Sequence, residues 1–382
     1  MRRTELIEFI DLAEQYRQLQ NEIDGNIQKV LKHGKYIQGP EVRELERQLA
    51  EYAGVRHAIS CSNGTDALLM PLMAWGAGRG DAVFTTPFTF IAAAEVVSLL
   101  GATPVFVDID PDTYNIDIKL LEQAVERVIN EGKLNPKAVI PVDLFGLPAD
   151  YDGIMPVARK YGLIVLGDTA QAFGSIYKGR KAGSLGDAAA TSFFPAKPLG
   201  CYGDGGAIFT GDDELAEKLI SIRVHGQGRD KYDNVRIGIN GRLDTLQAAI
   251  LLAKLKAFAG ELDARNRIAS KYTSGLKQVL KTPTVPDGSV SSWAQYSVLA
   301  EDSSKRDELR EKLKRAGVRT AVYYPKPLHL QQAFRDLDYM EGDFPVSEGV
   351  SRRIFSLPMH PYFKDETVDE IIEVILGCCP WH

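Results

Sequence analysis

The chain reads as an α/β protein: a mostly parallel seven-stranded sheet flanked by helices, then a smaller α+β C-terminal part. Two observations predict this. Short apolar runs alternate with amphipathic helical stretches from residue 57 to residue 223. Past residue 211 that rhythm stops, and a long helical stretch, 243–275, leads into elements of different spacing. A length of 382 residues also exceeds what one small core serves. Two domains are expected, a large one over 1–255 and a small one over 256–382.

Residues 40–53, PEVRELERQLAEYA, set Val42, Leu45, Leu49 and Tyr52 on one helical face, and Gly54 supplies a stop. Strands are expected at 57–61, 82–86, 103–108, 137–143, 162–167, 188–194 and 206–210. Helices are expected between them at 65–75, 89–100, 117–130, 151–160 and 212–223. Apolar strands alternating with helices imply a sheet covered on both faces. Ligands of such sheets gather at the carboxyl ends of the strands. In the second part, 243–275 is rich in Leu, Ala and Lys and is the expected hinge helix. Strands at 294–300 and 318–324 and helices at 304–316 and 365–377 complete it.

The hydrophobic fraction of 45% and charged fraction of 25% are ordinary for a soluble globular protein. A net charge of −6 and a pI near 5.7 argue against a broad nucleic-acid surface, while leaving room for a local basic pocket. No uncharged apolar stretch is long enough to span a bilayer, so no membrane partner is expected. Cys61, Cys201, Cys378 and Cys379 form neither a CxxC pair nor a disulfide framework, and no metal site is expected. A reducing cytoplasm is the expected location. The first residues, MRRTELIEFIDLAEQ, carry two arginines but no apolar run, unlike a signal peptide.

Four segments at strand ends carry the chemistry. The first, SNGTDALLM (62–70), follows a strand; Ser62, Asn63, Gly64 and Thr65 can cap a helix whose free N–H groups bind an anion. A plain helix cap explains the same residues. The second, TTPFTFIAAAE (85–95), holds Phe88 and Phe90, either of which can stack on a flat ring or pack in the core. The third, LIVLGDTAQAFGS (163–175), ends an apolar strand on Asp168, with Gln171 and Gly174 after it. A carboxylate there is costly without a partner. It suits either a helix cap or a salt bridge to a protonated ring nitrogen. The fourth, AAATSFFPAKPLGCYGDGG (188–206), puts Lys197 between an apolar strand and a glycine-rich turn, with Ser192 five residues before it. Desolvation there lowers an amine's pKa and makes it a nucleophile, whereas most lysines are surface groups. An amine, an acid, a stacking aromatic and a phosphate cradle are together the parts that pyridoxal phosphate requires. No strand is followed by GxGxxG, which excludes a nicotinamide dehydrogenase reading.

The ordered set of segments resembles the DegT/DnrJ-type sugar aminotransferases, a fold-type I pyridoxal phosphate family. The likeness runs from GKYIQGPEVRELE (34–46) through these four segments to GINGRLDTLQAA (238–249) and SLPMHPY (356–362). Within the family it is nearest the enzymes that aminate UDP-2-acetamido-2-deoxy-3-oxo-glucuronic acid for bacterial surface polysaccharide. The resemblance implies that glutamate is the donor, with 2-oxoglutarate as its product. It implies that Lys197 binds the cofactor and shuttles protons, and that Asp168 pairs with the ring nitrogen. Gln171 would lie near the ring hydroxyl, Phe90 would stack on the ring, and Gly64, Thr65 and Ser192 would hold the phosphate. Asn240 would reach the phosphate of a neighbouring subunit, so a homodimer with shared sites is expected. Arg242 is the candidate for a sugar carboxylate, against a structural ion pair with Asp244. Tyr324 and His329, in AVYYPKPLH (321–329), are candidates for sugar hydroxyls or the diphosphate. Two positions depart from the family: Gly167 stands where Glu is frequent, and Tyr323 where histidine is common. Two alternatives are another 3- or 4-keto nucleotide sugar and a non-catalytic cofactor-binding module. The intact Lys197, Asp168 and Ser192 argue against the module.

Overall fold

The computed structural model describes residues 6–230 and 232–378. The start of the MRRTELIEF segment and Cys379 lie outside the described residues. Chain order begins with α1 (Leu12–His33) and α2 (Pro40–Ala53). The alternating part follows as β1 (His57–Cys61), α3 (Gly64–Ala74), β2 (Asp81–Thr85), α4 (Ala92–Leu99), β3 (Thr103–Phe106) and α5 (Ile118–Glu131). It continues with β4 (Asn135–Val139), α6 (Tyr151–Tyr161), β5 (Ile164–Asp168), the two-residue β6 (Ile176–Tyr177) and β7 (Arg180–Lys181), β8 (Ala188–Ser192), β9 (Gly206–Thr210) and α7 (Asp213–Ile222). The remainder is α8 (Thr245–Leu276), β10 (Ser289–Val290), β11 (Tyr296–Leu299), α9 (Ser303–Arg315), α10 (Pro345–Arg353), β12 (Ile354–Leu357) and α11 (Asp365–Cys378).

The main sheet has seven strands in the order β1-β9-β8-β5-β4-β2-β3. Neighbours from β8 through β3 are parallel, and β9 alone runs antiparallel, to both β8 and β1. The five residues of β8 and the five of β9 are all buried, as strands covered on both faces must be. The ends of β1, β2, β5 and β8 lie along one edge, so the four chemistry-bearing segments emerge together.

The helix boundaries follow local rules. Pro40 at the first turn of α2 and Gly54 in a left-handed C-cap (φ +74°) delimit it, and Val42, Leu45 and Leu49 form its buried face. Sequence reasoning missed α1, although Tyr16, Leu19, Ile23, Ile27 and Val30 recur at helical spacing on one face. It docks Ile23 against Ile250 and Ala253 of α8. α8 runs unbroken through residue 255, so the expected domain division falls inside a helix. Its first half packs Leu251 and Phe258 against Phe173 and Phe209; its second half packs Ile268, Tyr272 and Leu276 against Tyr296, Phe355 and Ile371. Gly174 makes the first contact possible, since a Cβ there would stand 2.7 Å from Leu262 and 2.8 Å from Phe258.

The strand expected at 318–324 does not form. That segment makes two single bridges, Val318 to Ile7 and Ala321 to Ser356. β11 pairs instead with β12, which opens the SLPMHPY motif. Pro325 and Pro327, just past the segment, lack the N–H groups that would carry a ladder further.

Candidate active site

Lys197 sits in the loop between β8 and β9. The loop closes on itself: the Cys201 N–H donates to Phe193 O (2.8 Å) and the Lys197 N–H to Phe194 O (2.9 Å). The tightness demands Gly200, where a Cβ would come within 2.5 Å of Pro195 O. Lys197 is half-buried. Desolvation holds its amine below the usual lysine range, and the negative charge of Asp168 offsets part of that.

Asp168 ends β5 and is 7% exposed. Burial raises its carboxyl; the Ala170 N–H on Oδ1 (3.1 Å) and the nearby Lys197 charge oppose the rise. Oδ2 accepts no hydrogen bond among the described residues, so one carboxylate oxygen is available to a further donor. Behind it lies Asp143, fully buried, whose N–H donates to Asp168 O (3.0 Å). Burial pushes the Asp143 carboxyl well above its ordinary value, although the Ala149 N–H on Oδ1 (2.8 Å) opposes this. Sequence reasoning missed Asp143, although it too is an acid at the end of an apolar run. The neighbouring Tyr151 hydroxyl explains Gly167: a Cβ there would stand 2.5 Å from it, so the position has no room for glutamate.

Gly64 and Ser192 meet across the β1 and β8 ends, with a Gly64 Cβ falling 2.6 Å from the Ser192 Cβ. Asn63 caps α3 by accepting the Asp66 N–H (2.7 Å). Ser192 Oγ accepts the Phe194 N–H (3.2 Å), leaving its own O–H to donate. A helix N-terminus, a bare glycine and a hydroxyl donor thus converge, and Thr65 stands half-buried in the first turn of that helix.

The two phenylalanines divide cleanly. Phe88 is fully buried, edge-on to Tyr114, Phe145 and Tyr324. Phe90 is 55% exposed, so its ring is the one free to cover a flat group. Gln171 is 4% exposed and held on both sides. Its Oε1 accepts the Phe145 N–H (2.8 Å) and its Nε2 donates to the Tyr324 hydroxyl (3.0 Å). The backbone N–H fixes which end of the amide is which. The Tyr324 oxygen is therefore an acceptor, and its proton is left for another partner. Ser292 Oγ also donates to Gln171 O (2.8 Å). Ser292 and Tyr324 both come from the C-terminal part.

These positions suit a flat, phosphate-bearing ring. The backbone opening at Gly64 admits an oxyanion, Phe90 has a free face, and the open oxygen of Asp168 can take a ring N–H. Among the described residues, no cluster of three or more His, Cys, Asp or Glu side chains is placed to hold a metal ion. The model of the DegT/DnrJ/EryC1/StrS aminotransferase family matches residues 17–376. The chain belongs to that family. It is 50% identical over 364 residues to the UDP-2-acetamido-2-deoxy-3-oxo-D-glucuronate aminotransferase of Pseudomonas aeruginosa, covering 95% of this chain and 98% of that one. A crystal structure of a family member from Brucella abortus superposes with a TM-score of 0.95 at 52% identity, covering 98% and 100% of the two chains. NtdA from Bacillus subtilis, with bound cofactor PMP, superposes with a TM-score of 0.89 at 28% identity, covering 99% and 86%.

Within this aminotransferase the remaining candidates are placed unequally. The 240–242 strip lies beside the start of α3, because the Ser62 N–H donates to Gly241 O (3.1 Å). Asn240 is exposed on that strip. Arg242 is half-buried and makes no ion pair among the described residues, with Asp244 or any other acid. Tyr323 is half-buried against Phe9. His329 requires a correction. Its side chain has no exposed surface, its Nε2 lies 3.1 Å from Glu348 Oε1, and its ring packs on Phe344. It is an interior group and offers no surface to a sugar or diphosphate. Among the described residues no helix is long and apolar enough to cross a membrane.

Proposed function

We propose that this aminotransferase moves an amine from glutamate to a 3-keto sugar carried on UDP, and that the sugar is 2-acetamido-2-deoxy-3-oxo-glucuronic acid. The enzyme's cofactor is pyridoxal phosphate, which supplies an electron sink for the substrate carbanion. The protein's own residues do the rest. Gly64, Thr65, Ser192 and the α3 N-terminus would bind the phosphate, while Phe90 would cover the ring. Asp168 would hold the proton on the ring nitrogen, and Gln171 would face the ring's oxygen edge. Lys197 holds the cofactor and carries the proton in each half-reaction. Desolvation at Lys197 favours the neutral amine that both tasks use.

The observation that carries the substrate reading is Arg242, a half-buried residue on the strip beside Ser62 that makes no ion pair among the described residues. Such a group suits a carboxylate, which it binds with two parallel hydrogen bonds. The named activity of the Pseudomonas aeruginosa relative supports the same choice. A place in bacterial surface polysaccharide synthesis, in the cytoplasm, follows from that sugar.

The functional unit in this reading is a homodimer whose sites are shared. Tyr36, Ile37, Phe90, Phe194 and Ile237 are exposed apolar side chains from segments bordering the cleft and the 240–244 strip. A second copy would cover them and bring Asn240 to its phosphate. Amination of a panel of 3- and 4-keto UDP- and dTDP-sugars, with products identified by mass and NMR, tests the substrate. Preference for a neutral sugar, or for a 4-keto group, would sink this reading and leave the aminotransferase intact.

A further inference from the structure

We propose that Lys254, a buried lysine on the far side of the catalytic loop, is the positioning residue for Lys197. The proposal rests on the reading of Lys197 as the cofactor-binding amine. Lys254 lies on α8 and is 0% exposed. Its Nζ donates to the carbonyl of Gly200 (2.7 Å), three residues after Lys197. It also stands 4.1 Å above the centre of the Tyr202 ring. No backbone N–H among the described residues donates to the Gly200 carbonyl.

Lys254 does not act alone. Gln247 lies two turns earlier on α8 and so shares its face. Its Oε1 accepts the Tyr202 N–H (2.8 Å) and its Nε2 donates to Tyr202 O (3.3 Å). The helix therefore grips the loop exit at residues 200 and 202. The loop entry is tied to that exit by the Cys201 N–H and Sγ on Phe193 O (2.8 and 3.1 Å). Between these ties runs the short segment that carries Lys197.

The choice of residue is informative. A buried ammonium is costly unless well paired, and a carbonyl with one ring face is thin compensation. Burial pushes the Lys254 amine down to about 8, with Glu261, itself buried, pulling the other way. Methionine would fill the same space without that cost. What methionine lacks is the donor that ends on the loop. A displacement of the Lys197 amine by about 1 Å is enough to slow the chemistry greatly while leaving ground-state binding alone.

The test uses full-length protein with Lys254→Met and Lys254→Gln, the second keeping an N–H donor. Hydrogen exchange is read by peptide in protein stripped of cofactor. Melting, kcat and KM are measured after loading. We expect Lys254→Met to melt within a few degrees of wild type, with amides in 194–203 exchanging about tenfold faster and other peptides unchanged. Its kcat should fall roughly 10- to 100-fold with KM for the keto sugar within about threefold, and Lys254→Gln should recover part of both losses. Wild-type exchange in 194–203, or wild-type kcat with loosened exchange, overturns the proposal. If Lys254→Met does not fold, the double variant Lys254→Met/Glu261→Gln, which also removes the opposing buried charge, is read by the same criteria. Borohydride fixation of the cofactor to a lysine other than Lys197 would refute the active-site reading instead, and the exchange arm would still report on the Lys254–Gly200 contact.

Discussion

Gly64 and Ser192, 128 positions apart in the chain, are in contact: a Cβ on the glycine would lie 2.6 Å from the serine Cβ. The missing methyl group at Gly64 is what lets the Ser192 side chain lie against the start of α3. Gly64→Ala is expected to weaken cofactor binding about 10- to 100-fold, with melting lowered by only a few degrees, because overpacking costs about 1–3 kcal/mol. Titration of stripped protein with cofactor checks this. Unchanged affinity would remove Gly64 from the cradle.

Borohydride reduction should fix the cofactor to a single peptide, the one containing Lys197. Lys197→Ala should abolish turnover while retaining cofactor through the phosphate and ring contacts. Asp168→Asn keeps the shape but loses the charge that favours a protonated ring nitrogen. A kcat about 100- to 1,000-fold lower is expected, the range seen when one preorganised electrostatic contact is removed. Near-normal turnover of the asparagine variant would rule that role out.

Arg242→Ala separates binding of the sugar acid from support of the fold. Two substrates differing only at C5, a carboxylate and a hydroxymethyl group, are compared. The acid should lose about 2–4 kcal/mol in kcat/KM, and the neutral sugar almost nothing. Equal losses would place Arg242 in the cofactor site or the scaffold.

Shared sites predict complementation. Lys197→Ala and Asn240→Ala proteins should each be inactive, and mixing them under conditions of subunit exchange should restore activity. One site of each mixed dimer then holds both residues. No recovery despite demonstrated exchange would place Asn240 outside the neighbouring site.

Acid should destabilise the fold through His360. Burial, reinforced by the nearby Arg265 charge, pushes this imidazole from 6.5 down to about 4, although Asp11 and Glu14 oppose the shift. Between those values the unfolded chain binds a proton that the folded chain rejects, so falling pH favours unfolding. The group accounts for at most about 3 kcal/mol across that window. His360→Gln should flatten the fall in melting temperature between pH 6.5 and 4. An unchanged slope would assign the effect elsewhere.

Much of this was legible in the residues. The seven strands of the main sheet announce themselves as apolar runs, because burial on both faces leaves them little choice of composition. Lys197, Asp168 and Gly64 stand out because each, at or just past the end of an apolar strand, is a residue that such a strand end does not by itself require. Other features leave no such trace. His329 reads as a polar loop residue, yet Glu348 and Phe344, 19 and 15 positions later, draw it inside. The Gln171–Tyr324 contact joins residues 153 apart, and no local pattern encodes it.

That contact has a consequence for the order of assembly. The lysine, the acid and the phosphate cradle are all translated before α8 ends at Leu276, whereas Ser292 and Tyr324, which hold Gln171, come later. A nascent chain can complete the main sheet and still lack the groups that fix the Gln171 amide. The site reaches its final form only when the last quarter of the polypeptide folds back onto the first three.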